Sequence, residues 1–91
     1  MNIRTPYKVK CSECGAENQL NMELECVSSY ERKKGLDLEY ISTFEGACPK
    51  CGGDLAVQVR VWEYPEGFVE SYTVIMEGAV KIEEPDFINE L

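Results

Sequence analysis

Two stretches in the first half of the chain alternate between apolar and polar residues with a period of two. In residues 20–32, LNMELECVSSYER, and again in residues 36–45, LDLEYISTFE, most even positions are apolar and several odd positions are acidic. Because successive side chains of a β-strand point to opposite faces, each stretch predicts a strand with one buried side. The apolar positions are Leu20, Met22, Leu24, Cys26 and Tyr30 in the first strand, and Leu36, Leu38, Tyr40 and Phe44 in the second.

The tripeptide KKG at residues 33–35 separates these two strands and predicts a hairpin over residues 19–46. A three-residue loop with Gly35 in the left-handed conformation would place Leu24 opposite Phe44 and Tyr30 opposite Leu38. A two-residue loop would place apolar residues opposite acidic ones and bury carboxylates. The pattern therefore favours the longer loop.

A second hairpin is predicted in the other half of the chain, around the turn PEG at residues 65–67. Pairing Tyr64 with Phe68 across this turn sets the register of both strands. One face is then aliphatic and forms the expected core. Gly78 indicates a bulge or bend before a short strand over residues 79–83. The aliphatic face consists of Leu55, Val57, Val59, Val61 and Ile75.

The opposite face of this second hairpin is also rich in apolar residues, including Val74 and Met76. One interpretation is that both faces are buried. The alternative is an exposed aromatic patch that binds a partner, because Trp, Tyr and Arg dominate interaction hot spots. The residues of this candidate partner surface are Arg60, Trp62, Tyr64, Phe68 and Tyr72.

Two C-x-x-C-G motifs carry the clearest chemical signal of the chain. Cys11 and Cys14 form the first pair and Cys48 and Cys51 the second, and the chain has no histidine. In each motif both sulfurs can converge on one point, and the following glycine permits the positive φ that closes such a turn. Two pairs together predict a tetrahedral four-sulfur metal site. Two disulfides, or a redox dithiol beside an unexplained second pair, are the alternatives.

These motifs resemble those of the zinc ribbon family, in which two such knuckles join the ends of antiparallel strands. The resemblance covers the knuckles and adjacent strands, about half of the chain. It implies an all-β fold, here a small zinc ribbon with two long antiparallel hairpins joined at a four-cysteine metal site, and one structural Zn²⁺ on Cys11, Cys14, Cys48 and Cys51. The knuckles also look like those of rubredoxins, which hold iron, but the longer chain and its aromatic pattern differ from that family.

Cys26 and a small basic cluster each allow two interpretations. Cys26 falls on the predicted apolar face, where a buried small hydrophobe is expected rather than an extra ligand or a reactive thiol. Arg32, Lys33 and Lys34 cluster at the predicted hairpin tip and would contact phosphates in a nucleic-acid-binding ribbon. With nine basic against seventeen acidic residues, a solubilising role is favoured.

The length of 91 residues predicts one domain over residues 1–91. No segment approaches the ~18 apolar residues of a membrane span, and MNIRTPYKVK has no apolar run typical of a secretory signal. A cytoplasmic location is therefore expected, where reduced thiols favour metal over disulfides. The acidic tail over residues 84–91 is expected to be frayed, with a short helical turn after Pro85 or a docking segment as alternatives.

The function expected from these residues is that of a non-catalytic adaptor that binds another protein. Four cysteines close the coordination shell of a metal, whereas a catalytic zinc keeps an open position. The formal charge of −8 suits a partner with a basic face. The alternatives are a nucleic-acid-binding ribbon, an acidic nucleic-acid mimic that blocks a DNA-binding protein, and a rubredoxin-like electron carrier. The sequence leaves the oligomeric state open.

Overall fold

The protein is all-β, as predicted, and consists of antiparallel strands in three small sheets. This description rests on a computed structural model and covers residues 2–4, 6–65 and 67–88. The strands are β1 (Asn2–Ile3), β2 (Tyr7–Cys11), β3 (Glu17–Leu20), β4 (Glu25–Arg32), β5 (Gly35–Ala47), β6 (Asp54–Glu63), β7 (Val69–Glu77), β8 (Ala79–Lys81) and β9 (Phe87–Ile88).

The four-stranded sheet has the order β4-β5-β6-β7, so the two predicted hairpins lie side by side in one sheet. β5 and β6 pair over ten residues, from Leu38 opposite Glu63 to Ala47 opposite Asp54. A three-stranded sheet of order β3-β2-β8 and the short pair β1-β9 complete the fold. The molecule is elongated, with extents of 49 × 19 × 16 Å.

The core lies between the four-stranded sheet and the smaller sheets. Every second residue of β6 is buried, and Val57, Val59 and Val61 are at most 1% exposed, as the predicted aliphatic face requires. They cluster with buried side chains from the opposite layer, which are Ile3, Tyr7, Val9, Leu20 and Met22. Removal of these apolar side chains from water supplies the main stabilising term of the fold.

The strand predicted over residues 20–32 is wrong, because it is two strands in different sheets. β3 pairs with β2 next to the first cysteine pair, whereas β4 pairs with β5. The inserted hairpin therefore comprises Glu25–Ala47 rather than residues 19–46. Cys26 is exposed, and its thiol contacts the carbonyl oxygen of Ser28, so its predicted burial is also wrong.

The first hairpin has a two-residue turn, not the predicted three-residue loop. Arg32 lies opposite Gly35 and Tyr30 opposite Asp37, and a bulge at Val27 brings Cys26 opposite Tyr40. A buried face on β4 would disfavour this register, but β4 has none. All eight residues of β4 are exposed, so an acidic residue opposite an apolar one buries no carboxylate there.

The second hairpin follows the predicted register only at its turn. The N–H of Tyr64 donates to the carbonyl of Phe68, as expected, but an extra residue at Glu70 then shifts the pairing by one. Val59 therefore lies opposite Val74 rather than Thr73. The shift places Tyr72, Val74 and Met76 on the core face and leaves Ile75 57% exposed, so the predicted core position of Ile75 is wrong.

Gly78 is the bend that the sequence predicts, and it takes the chain from the four-stranded sheet into β8 beside β2. Its φ of +73° lies in the left-handed region, and a Cβ atom there would lie 2.0 Å from the backbone oxygen of Asp54. Only glycine fits both requirements. In the C-terminal segment, Phe87–Ile88 form β9 rather than a helical turn, and residues 89–91 lie outside the described residues.

Candidate metal centre

The two C-x-x-C-G motifs form two closely similar turns at the ends of antiparallel strands. The first, residues 11–15, connects β2 to β3, and the second, residues 48–52, connects β5 to β6. In the first, the N–H of Gly15 donates to the carbonyl oxygen of Cys11 at 2.9 Å. In the second, the N–H of Gly52 donates to the carbonyl oxygen of Cys48 at 2.7 Å. Both glycines have a φ of 74°, as the sequence predicts.

A second hydrogen bond closes each turn in the same way. The N–H of Cys11 donates to the carbonyl of Ala16 and the N–H of Cys48 to that of Gly53, both at 2.8 Å. In each turn the first cysteine is buried and the second, Cys14 or Cys51, is exposed. The site is therefore anchored in the fold on one side and reaches solvent on the other.

The structure brings the four sulfur atoms into one cluster. The Sγ atoms of Cys11 and Cys51 are 3.6 Å apart, as are those of Cys14 and Cys48, and all four lie within 4.8 Å of one another. All are free thiols in the structure, so the disulfide alternative finds no support. A tetrahedral ion with metal–sulfur bonds of about 2.3 Å separates its ligands by about 3.8 Å. The two separations of 3.6 Å are close to this value, and the cluster could hold such an ion.

Backbone N–H groups prepare two of the sulfurs to act as thiolates. Hydrogen bonds from the N–H groups of Cys51 and Lys50 lower the pKa of Cys48 to about 6. Those of Cys14 and Glu13 lower the pKa of Cys11 below its usual value. Since a metal binds the thiolate form, both buried cysteines are held ready for a cation.

The two exposed cysteines show the opposite shift. For Cys51, a hydrogen bond from Gly53 lowers the pKa, but contacts with the other thiols and desolvation outweigh it and raise the pKa to about 12. The pKa of Cys14 is also raised: the hydrogen bond from Ala16 lowers it, and desolvation and the Cys48 and Cys11 thiols more than offset that bond. Crowding of the four sulfurs therefore disfavours deprotonation of the exposed pair, and a bound cation would offset the negative charge of four thiolates.

Asn18 is a residue of this centre that sequence reasoning missed. It is buried in β3, and its side-chain amide donates to the carbonyl of Ala16 at 3.2 Å and lies 3.9 Å from the Sγ of Cys48. A donor aimed at a sulfur supports its thiolate form and orients the ligand. The polar stretch GAEN around it gives no signal of burial, since the pairing of β3 with β2 is what brings Asn18 to the sulfurs.

The residues of the predicted partner surface do not lie on one face of the structure. Arg60, Trp62 and Tyr64 share the outer face of the four-stranded sheet, where Arg60 pairs with Glu39 at 3.6 Å. Phe68 lies in the turn and is 67% exposed. Tyr72 lies on the other face, with its ring centre 5.2 Å from that of Phe87. The one-residue shift at Glu70 is the cause of this separation.

The predicted basic tip is only partly available to a ligand. Arg32 forms an ion pair with Asp37 at 2.9 Å, and its guanidinium lies 4.0 Å from the ring centre of Tyr64. The Tyr64 hydroxyl also accepts the backbone N–H of Lys34 at 3.2 Å. These contacts join the tips of the two hairpins, and Lys33 and Lys34 are exposed.

Comparison of the chain with protein-family models, with curated proteins and with solved structures finds no match. Among the described residues, no helix is long and apolar enough to cross a membrane.

Proposed function

We propose that this protein is a non-catalytic adaptor, in which one zinc ion on Cys11, Cys14, Cys48 and Cys51 is structural and the β-surface binds another protein. The observation that carries the proposal is the cluster of four sulfurs within 4.8 Å, formed by two nearly identical turns. Tetrahedral sulfur coordination suits zinc, which has no redox chemistry. An ion with four protein ligands has no open position for a substrate.

In this proposal the metal ion stabilises the folded state. The two turns belong to different sheets, β2-β3 and β5-β6, so an ion that binds all four sulfurs cross-links the two layers. Metal binding contributes about 10–16 kcal/mol of apparent free energy in small zinc peptides. A thin domain of this size gains much of its stability from such a link.

The charge distribution favours a protein partner over nucleic acid. The chain has nine basic and seventeen acidic residues. Arg32 already forms an ion pair with Asp37 and a cation–π contact with Tyr64. Two exposed lysines at a hairpin tip provide few phosphate contacts, and phosphate contacts supply most of the affinity for nucleic acid. Iron in place of zinc would make the centre an electron carrier, and the colour of the purified protein distinguishes the two metals.

A capture experiment tests the adaptor role. The metal-loaded chain is immobilised and exposed to a lysate of its native host, and a Cys11→Ser/Cys48→Ser variant serves as the control. We expect a protein retained in near-stoichiometric amount by the folded chain and lost with the control. Retention of no protein, or release of a retained one by added nucleic acid together with direct binding of that nucleic acid, would contradict the proposal.

A further inference from the structure

No described element covers the outer face of the four-stranded sheet, which lies opposite the core. The register places Ile41 beside Arg60, Glu39 beside Trp62 and Gln58 beside Ile75 on this face. In β6 the core-facing residues are fully buried, whereas the outward-facing ones are only partly buried. We call the surface formed by Tyr30, Ile41, Arg60, Trp62 and Ile75 the outer face.

The outer face carries several accessible apolar side chains. Tyr30 is 58% and Ile75 57% exposed, and neither packs against the core. Tyr30 and Trp62 line one depression of about 290 Å³ together with charged residues, among them Glu39 and Glu70. Single apolar residues are normal on a surface, but several exposed ones on one uncovered sheet face are typical of interaction sites.

Carboxylates lie along the edges and at one end of this face. The two arginines of the face are each paired, Arg60 with Glu39 and Arg32 with Asp37. Five further carboxylates of this face are exposed and form no ion pair within the described part of the chain. They are Glu25, Glu45, Asp54, Glu70 and Glu77. The outer face thus combines aromatic and aliphatic anchors with a negative rim.

We propose that the outer face binds a lysine- or arginine-rich segment of a partner protein that carries at least one large apolar side chain. This inference rests on the adaptor function proposed above and adds the surface and the chemistry of the partner. The rim carboxylates attract cationic side chains, and the exposed apolar side chains of the face contact the apolar anchor. A second copy of the chain or a nucleic acid brings negative charge to the same rim and is repelled.

Two double variants test the surface, and each replaces two exposed apolar side chains with serine. Tyr30→Ser/Ile75→Ser removes exposed apolar groups from the outer face, and Val80→Ser/Ile82→Ser removes groups of 51% and 45% exposure elsewhere. None of these side chains belongs to the core, so thermal melting and metal content should match the wild type. Both are measured first as the folding control.

The probes are three synthetic 15-residue peptides: one of lysine and leucine, one of lysine and serine, and one of glutamate and leucine. Amide shifts of the ¹⁵N-labelled protein report the site of binding. We expect the lysine–leucine peptide alone to shift Ile41, Arg60 and Trp62, with a Kd at least tenfold weaker for the outer-face variant and unchanged for the control variant. Absence of binding, shifts confined to other surfaces, or equal Kd values for both variants would overturn the inference.

Capture from the native lysate with the same two variants separates this inference from the proposed function. Loss of the retained protein with the outer-face variant alone, and a basic segment in that protein, supports the inference. Equal retention by both variants refutes the outer face and leaves the adaptor role standing. Retention of nothing by the wild type refutes the adaptor role itself.

Discussion

Glu63 is a buried carboxylate at the end of β6, only 2% exposed, with one oxygen bonded and the other not. Its Oε1 accepts the N–H of Gly67 in the adjacent turn, while Oε2 has no hydrogen-bond partner among the described residues. The bonded oxygen holds the turn closed. Burial of Oε2 costs free energy, because no hydrogen bond replaces the contacts that this oxygen would make with water.

Glu63→Gln should therefore retain the bond to Gly67 and remove a group whose charge is costly to bury. We expect the free energy of unfolding to stay equal or to rise by about 1–2 kcal/mol, whereas Glu63→Ala should lower it by about 1–3 kcal/mol. Urea denaturation of the three proteins measures both effects. A loss with glutamine as large as the loss with alanine would refute this role.

Tyr7 connects the buried core to the C-terminal segment. Its hydroxyl donates to the carbonyl of Glu83 at 3.2 Å, and the ring is 2% exposed. Desolvation, followed by the nearby charges of Glu84 and Glu83, raises the pKa of Tyr7 from 10.0 to about 12. The fold thus favours the protonated form of this tyrosine.

A group whose pKa is raised by folding contributes stability that is complete below its unfolded pKa and is lost as the pH rises through the folded value. The free energy of unfolding should therefore fall between about pH 10 and pH 12, on the order of 2–3 kcal/mol for this group. Tyr7→Phe should lack this part of the decline. Denaturation measured from pH 8 to pH 12 tests it, and identical alkaline losses in both proteins would show that Tyr7 is not responsible.

At the scale of elements, two glycines of equal φ offer a matched comparison. Gly52 and Gly78 have φ values of +74° and +73°, but a Cβ atom at Gly52 meets nothing within 4 Å, whereas one at Gly78 meets the Asp54 oxygen at 2.0 Å. Gly52→Ala should cost only the backbone strain, about 1–2 kcal/mol. Gly78→Ala must also displace β8 from β6 and should cost about 3 kcal/mol or more.

Thermal or urea unfolding of the metal-loaded variants measures this difference. Equal losses at the two positions would show that the junction between β7 and β8 tolerates a side chain and that the close approach to Asp54 is not a constraint on the fold.

The elements that the sequence predicts well are those whose signal is local. Alternation in β6 identifies its buried face, and the positive φ of Gly15 and Gly52 follows from the C-x-x-C-G motif alone. The convergence of the two sulfurs within each motif follows for the same reason. That the two pairs share one site follows from chemistry, because a tetrahedral ion needs four ligands and each motif supplies two.

The elements that it predicts poorly depend on pairing between distant segments. Bulges at Val27 and Glu70 each shift a register by one, which exchanges the faces of all following residues. Neither position is a glycine or carries any other local sign. The exposure of β4 likewise has no local cause, since it reflects the absence of a covering layer among the described elements.

At the scale of the whole molecule, the metal centre and the hairpin tips lie at opposite ends of the β5-β6 ladder. The second cysteine turn follows Ala47 at one end, and the contacts of Arg32 with Tyr64 lie beyond Leu38 at the other. With extents of only 19 and 16 Å across the long axis, the core is thin. The proposed metal ion on the four sulfurs would therefore stabilise this thin arrangement by linking its two layers.

Metal content measured together with melting is the most direct test of this account. The chain is purified natively, its zinc and iron are quantified by elemental analysis, and its melting is recorded before and after treatment with a chelator at neutral pH. We predict a colourless protein with one zinc per chain, which loses cooperative melting when the zinc is removed and regains it when zinc is restored. A protein that contains no metal, or whose melting is unchanged after the metal is removed, would contradict a structural role for zinc in this fold.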